Sequence, residues 1–185
     1  MKLAITRAVA AAVLFTHTAS AAVIPDWITA NNSPPPTDSA FIALSLEKVN
    51  SIRTRYSAPP LQWSAEIAEV ALRKSNGCIL DHSGIYGENA YAFRFGVPET
   101  KPDFPAQVRS AFDAWVAEDE RTAYLAGDLF GGGHFTQTVW KSSRLMGCAF
   151  STVRCKNTKD QEWWFYCDFD PAGNVIGDYE RNVST

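Results

Sequence analysis

The reading of the fold turns on GHFTQTVWKSS, residues 133–143. It closes a glycine-rich run, residues 127–133, and opens a region dense in aromatic and β-branched residues. That composition predicts strands at residues 134–140, 144–153 and 163–169. Upstream the pattern is helical. Phe41, Leu44, Leu46, Val49 and Ile52 give residues 40–56 an apolar face, with Thr37, Asp38 or Ser39 as the cap. Ala58-Pro59-Pro60 ends that helix. A second follows from Ser64 as N-cap to about Lys74. Glu66 and Glu69 suit its positive end, Ile67, Val70 and Ala71 form its buried stripe, and Asn76-Gly77 terminates it. Residues 96–105 hold three prolines and read as a loop. A third helix is predicted over 106–120, with Val108, Phe112, Trp115 and Val116 on one side. Three helices followed by three strands predict an α+β layered fold.

The N-terminus does not belong to that fold. Met1-Lys2 and Arg7 are a basic head, residues 8–15 a short apolar core, and Thr18-Ala19-Ser20-Ala21 a small-residue cleavage site. This is the order of a secretory signal peptide, residues 1–21. The apolar run is shorter than the roughly 20 residues of a membrane span. Cleavage after Ala21 leaves 164 of the 185 residues, with 15 basic against 20 acidic. No basic run marks a nucleic-acid surface, and no later stretch reaches membrane-spanning length, so a secreted, soluble, monomeric chain is expected. Residues 22–39, rich in proline and asparagine, read as a disordered arm, and residues 181–185 as a C-terminal tail. Sequons place candidate glycans at Asn31 and Asn182.

Four cysteines, Cys78, Cys148, Cys155 and Cys167, remain in an oxidising compartment. Their spacings of 70, 7 and 12 contain no CxxC pair, which argues for two disulfides over a structural zinc site. Spacing alone leaves three connectivities open. Past residue 21 there are two histidines, His82 in Asp81-His82-Ser83-Gly84 and His134 in the opening stretch. Each sits in polar, glycine-bearing sequence, where a solvated loop histidine is the default reading. Ser83 lacks the nucleophile-elbow surroundings of a hydrolase serine.

Two long motifs carry a resemblance. Residues 133–143 and FYCDFDPAGNV, residues 165–175, resemble the two signatures of the CAP superfamily, which covers cysteine-rich secretory proteins, insect antigen 5 and plant pathogenesis-related class-1 proteins. Pro60-Leu61-Gln62-Trp63-Ser64, His82-Ser83, Tyr86-Gly87-Glu88-Asn89, and Trp115 with Glu118 three residues on, match in the same order. The likeness is nearest to secreted fungal members.

The resemblance implies a domain over residues 40–180, folded as a three-layer α-β-α sandwich around a mainly antiparallel sheet. It implies a cleft lined by His82, Glu88, Glu118 and His134. Two imidazoles facing two carboxylates could hold a divalent cation such as zinc, or transfer protons with the histidine pKa raised by the acids. It also implies the pairs Cys78–Cys155 and Cys148–Cys167. In function it implies a binder of sterols, fatty acids or other small hydrophobic ligands more than an enzyme. The alternatives are a metal-dependent, protease-like hydrolase and a secreted effector for a protein receptor; no cofactor is required by the first reading. Three departures stand out. Val49-Asn50 replaces a common His-Asn pair. Asp168 and Phe169 replace a small polar residue and a tyrosine. Residues 124–130 lack the aromatic spacing of sterol-exporting yeast members.

Overall fold

The computed structural model describes residues 32–95, 102–153, 155–156 and 161–185. The predicted signal peptide, Asn31 and most of the proline-rich loop at 96–105 lie outside them.

The first helix, α1 (Ser39–Arg55), starts where Asp38 Oδ1 accepts from the amides of Ala40 and Phe41, each at 2.9 Å. A short strand β1 (Gln62–Trp63) leads to α2 (Ala65–Asn76), capped by Ser64 Oγ on the Ile67 amide. Then come β2 (Gly87–Phe95), α3 (Phe104–Trp115), α4 (Glu118–Leu125), α5 (Gly133–Val139), β3 (Leu145–Phe150), β4 (Cys155–Lys156), β5 (Gln161–Asp170) and α6 (Tyr179–Asn182). The sheet runs β1-β3-β5-β2, with β4 pairing β5. Among the described pairings, β1 against β3 is parallel and the others are antiparallel.

Alternation along the strands makes the three layers. Cys148 and Phe150 on β3, with Phe165, Cys167 and Phe169 on β5, face α1, α3 and α5; Phe41, Val49, Ile52, Val108, Phe112, Trp115, Phe135 and Val139 come from those helices into the same core. Ala149 and Tyr166 point the other way, against Ala71 of α2. Gly147, on that second face, lets α2 approach: a Cβ there would lie 2.1 Å from the Ala68 amide nitrogen. Disulfides join Cys78 to Cys155 and Cys148 to Cys167, the second pair directly opposite across β3 and β5.

The architecture is the expected α+β sandwich, and several of its parts differ from the sequence reading. The stretch expected as a strand at residues 134–140 is instead helix α5, Gly133–Val139. Every side chain of Phe135–Val139 is buried, and Thr136 and Thr138 donate their hydroxyls to the carbonyls four residues back, at 3.1 and 2.8 Å. Burial on all sides outweighs the β-propensity of the stretch. The third helix breaks at Val116–Ala117, where Ala117 is extended. Trp115 is held there by stacking on Phe165 and by its Nε1–H donated to the Ala90 carbonyl at 3.1 Å. The run Glu118-Asp119-Glu120 then falls in the first turn of a new helix, where the dipole favours acids. Strand β2 was not among the predicted strands, although Tyr91, Phe93 and Phe95 recur at every second residue.

The ends are also tighter than expected. Pro34 and Pro36, within the predicted disordered arm, are buried; a proline ring has little conformational freedom to lose on packing. In the predicted tail, Asn182 is 2% exposed. Its Oδ1 accepts from the Ser142 amide at 2.9 Å, and its Nδ2 donates to the Asp178 carbonyl at 2.8 Å. The nitrogen to which a glycan would attach is therefore engaged inside the fold.

Candidate functional site: a two-histidine cleft at the end of the sheet

Where β2 begins and β5 ends, a cleft of about 470 Å³ opens. The loop after α2 brings His82 to it, β2 brings Glu88 and Asn89, and the N-terminal turn of α5 brings His134 and Gln137. The chain after β5 closes it with Gly173 and Asn174. Asn89 ties the two sides together. Its Nδ2 donates to the His134 carbonyl at 3.1 Å and to Thr138 Oγ1 at 3.0 Å.

Each imidazole meets one carboxylate. His82 Nδ1 lies 2.9 Å from Glu88 Oε1, and His134 Nδ1 lies 2.6 Å from Glu120 Oε1. Glu120 thus occupies the place expected for Glu118. Glu118 points to solvent, its side chain 78% exposed, and accepts from Arg121 at 3.0 Å. The two acids are on the same short helix, and motif spacing from Trp115 cannot register the helix break between them. Ser83 turns to Asp81, not to His82: its amide donates to Asp81 Oδ1 at 2.8 Å, and its hydroxyl and amide together hold the Asp81 carboxyl below the usual range.

Two charged groups beneath His82 were not anticipated as part of the site. Lys74 of α2 reaches Glu88 Oε2 and lies 3.7 Å from Asp168 Oδ1. Glu88 and Asp168 are direct partners across β2 and β5, so two like charges share one rung with an ammonium between them. The signal that could have found the trio is Lys74, an i+7 continuation of the Ile67 stripe, aimed at the sheet.

The electrostatics follow from this packing. The His82 pKa is lowered, first by burial and then by the positive charges of His134 and Lys74. The expectation of a histidine raised by its carboxylate fails at His82, where burial and the two nearby positive charges outweigh the acids. Asp168 is fully buried, neither of its oxygens has a hydrogen-bond partner, and burial pushes its carboxyl up to about 6 in spite of Lys74.

A raised acid destabilises the fold when ionised. The folded state takes its proton near pH 6, the unfolded chain near 3.8, so the penalty is full above about pH 6 and gone below about pH 4. The shift corresponds to about 3 kcal/mol. Asp168→Asn is therefore expected to stabilise the protein by roughly 1–3 kcal/mol at pH 7.5, and the advantage is expected to shrink to about a third of that near pH 4.5. Urea denaturation of both proteins at the two pH values checks this; a variant less stable than the parent at pH 7.5 contradicts it.

Among the described residues, no group of three or more His, Cys, Asp or Glu side chains gathers to hold an ion. Each Nδ1 faces a carboxylate, an arrangement that leaves Nε2 of an imidazole for other partners, and Lys74 sits between Glu88 and Asp168.

The profile of the Cysteine-rich secretory protein family matches residues 46–169. The chain belongs to that family. Among its curated relatives, it is 31% identical over 134 residues to Fruiting body protein SC14 of Schizophyllum commune, covering 69% of this chain and 59% of the relative. It is 33% identical over 150 residues to Secreted protein RBT4 of Candida albicans, covering 76% of this chain and 37% of the relative. It is 34% identical over 137 residues to Pathogenesis-related leaf protein 4 of Solanum lycopersicum, covering 70% and 76%. The first two relatives are thus substantially longer than the matched region. Among solved structures, NaASP2 with Zn2+ superposes with a TM-score of 0.57 at 20% identity, over 76% of this chain and 84% of that one. MpPR-1i gives 0.54 at 19%, over 77% and 96%. Those two likenesses establish the sandwich fold of the family and no more. Among the described residues, no helix is long and apolar enough to cross a membrane.

Proposed function

We propose that this member of the cysteine-rich secretory protein family is secreted and that its cleft binds a small hydrophobic ligand of the sterol or fatty-acid class. The observation that carries the reading is the cleft's division into a polar floor and an apolar rim. Asn89 and Gln137, both buried, form the floor with His134 beside them, and His82 stands half exposed at the edge; Leu129, Phe130, Ile176 and Tyr179 form the rim. Phe130 is 100% exposed and Ile176 89% exposed. Large apolar side chains held in water at the mouth of a concave site mark an interaction surface. The volume falls in the range of small-molecule sites, and a lipid would place its polar end on the floor and its apolar body along the rim.

Secretion is supported by the signal-peptide pattern of residues 1–21, by two disulfides of the kind found in oxidising compartments, and by relatives named as secreted proteins. The test of the ligand reading is saturable binding of a fluorescent sterol or fatty acid, compared with a Phe130→Ser/Ile176→Ser variant. Both side chains are exposed, so their loss leaves the core intact. Loss of their burial against ligand is expected to weaken binding about tenfold or more.

A further inference from the structure

Resting on the reading of the cleft as a lipid site, we infer that the ligand's polar end is an uncharged hydroxyl rather than a carboxylate. Two buried polar atoms on residues lining the cleft have no partner among the described atoms: the carbonyl oxygen of Asn89, Oδ1, and the amide nitrogen of Gln137, Nε2. Both side chains are 1% exposed. The remaining atoms of each amide are committed, which fixes how each is turned. Asn89 donates through Nδ2 to His134 and Thr138. Gln137 accepts through Oε1 from the Gly173 amide at 2.9 Å.

The Gln137 amide is seated closely. A Cβ at Gly87 would come 1.9 Å from Gln137 Oε1, and one at Gly173 would come 2.9 Å from Nε2. Two positions without side chains thus make room for one buried amide, which leaves a donor on the cleft wall with nothing to donate to. A buried polar atom without a partner is costly, and a site with such atoms favours the ligand that satisfies them. Gln137 offers a hydrogen and Asn89 wants one. A hydroxyl both accepts and donates; a carboxylate only accepts, and would leave Asn89 Oδ1 facing another oxygen.

The charge in and beneath the cleft points the same way. Glu88, Glu120 and Asp168 contribute three carboxylates, and among the described residues Lys74 is the ammonium paired with them. Even with His82 and His134 both protonated, the three cations only balance the three acids. An anionic head finds no net positive charge to receive it, so a hydroxyl-bearing lipid such as a free sterol or a fatty alcohol fits and an ionised fatty acid does not.

The experiment uses the purified full chain at pH 7.5 and competes a fluorescent sterol with two matched pairs: cholesterol against cholesteryl sulfate, and hexadecanol against palmitate. Each hydroxyl member is expected to bind at least about tenfold more tightly than its anionic partner. Gln137→Glu, which keeps the acceptor to Gly173 and removes the donor, is expected to narrow that gap mainly by weakening the hydroxyl members. Its melting temperature confirms that it is folded. Anionic partners that bind as well as or better than the hydroxyl members overturn the inference while leaving the lipid site standing. Failure of all four ligands and of the fluorescent sterol to bind overturns the lipid reading itself.

Discussion

Replacing Cys78 and Cys155 together by alanine is expected to destabilise the protein by about 4.5 kcal/mol, as chain entropy gives for a crosslink across 77 residues. The same arithmetic for Cys148 and Cys167, separated by 19 residues, gives about 3 kcal/mol. The longer bridge also does something local. It anchors the end of α2 to β4, at the start of the loop that carries His82. That loop is also tethered by the Tyr166 hydroxyl, which donates to the Ile79 carbonyl at 2.6 Å and accepts from the Asp81 amide at 3.2 Å. Loss of the bridge is therefore expected to loosen the His82 side of the cleft while the sheet persists. Urea denaturation measures the first effect, and amide hydrogen exchange at residues 79–86 the second. A double variant within 1 kcal/mol of the parent contradicts the account.

Arg53→Ala is expected to cost about 3–5 kcal/mol, although the residue belongs to no motif. Its guanidinium is fully buried and spends its donors on three carbonyls: Pro59 at 2.7 Å, Thr138 at 2.9 Å and Ser143 at 3.1 Å. No carboxylate is among these partners. Burial, and then the charge of Arg144, lower its pKa to about 10, so it stays charged at neutral pH. Those bonds clasp α1, the C-terminal end of α5 and the turn before β3. Truncation would leave a cavity and two buried acceptors, the Thr138 and Ser143 carbonyls, without donors. Arg53→Lys is expected to recover less than half of the loss, because one ammonium cannot reproduce the planar fork that spans the three carbonyls. Chemical denaturation of the disulfide-intact variants checks both; an alanine variant within 1 kcal/mol of the parent would mean that the clasp is not needed.

How much of this was legible in the sequence depends on the kind of signal. Helices α1 and α2 follow from local chemistry, an apolar stripe behind an Asp38 or Ser64 cap, and both appear within two residues of expectation. Strands β3 and β5 were legible as aromatic and β-branched runs. Helix α5 was not, since its Thr and Val residues prefer strands and only complete burial makes them helical. The break between α3 and α4 is likewise a tertiary event, set by where Trp115 locks against Phe165. It decides which acid meets His134, and so Glu120 stands where Glu118 was expected.

His82, Glu88 and His134 were legible only through motif resemblance, and the structure brings all three to one cleft. Lys74 and Asp168 escaped because nothing in either motif pairs them; their meeting depends on α2 lying over Gly147 and on the register of β2 against β5. Asn182 shows the converse. A sequon read from three letters says nothing of an amide used to hold the Ser142 turn.

The central claim is that the cleft holds a lipid with its apolar body along Phe130 and Ile176. The most direct measurement is an equilibrium titration of a fluorescent sterol into the parent protein and into Phe130→Ser/Ile176→Ser, with the two confirmed equally stable. Saturable one-to-one binding to the parent, weakened about tenfold or more in the variant, is the result this account expects. Equal affinity in both proteins, or no saturable binding to the parent, would contradict it.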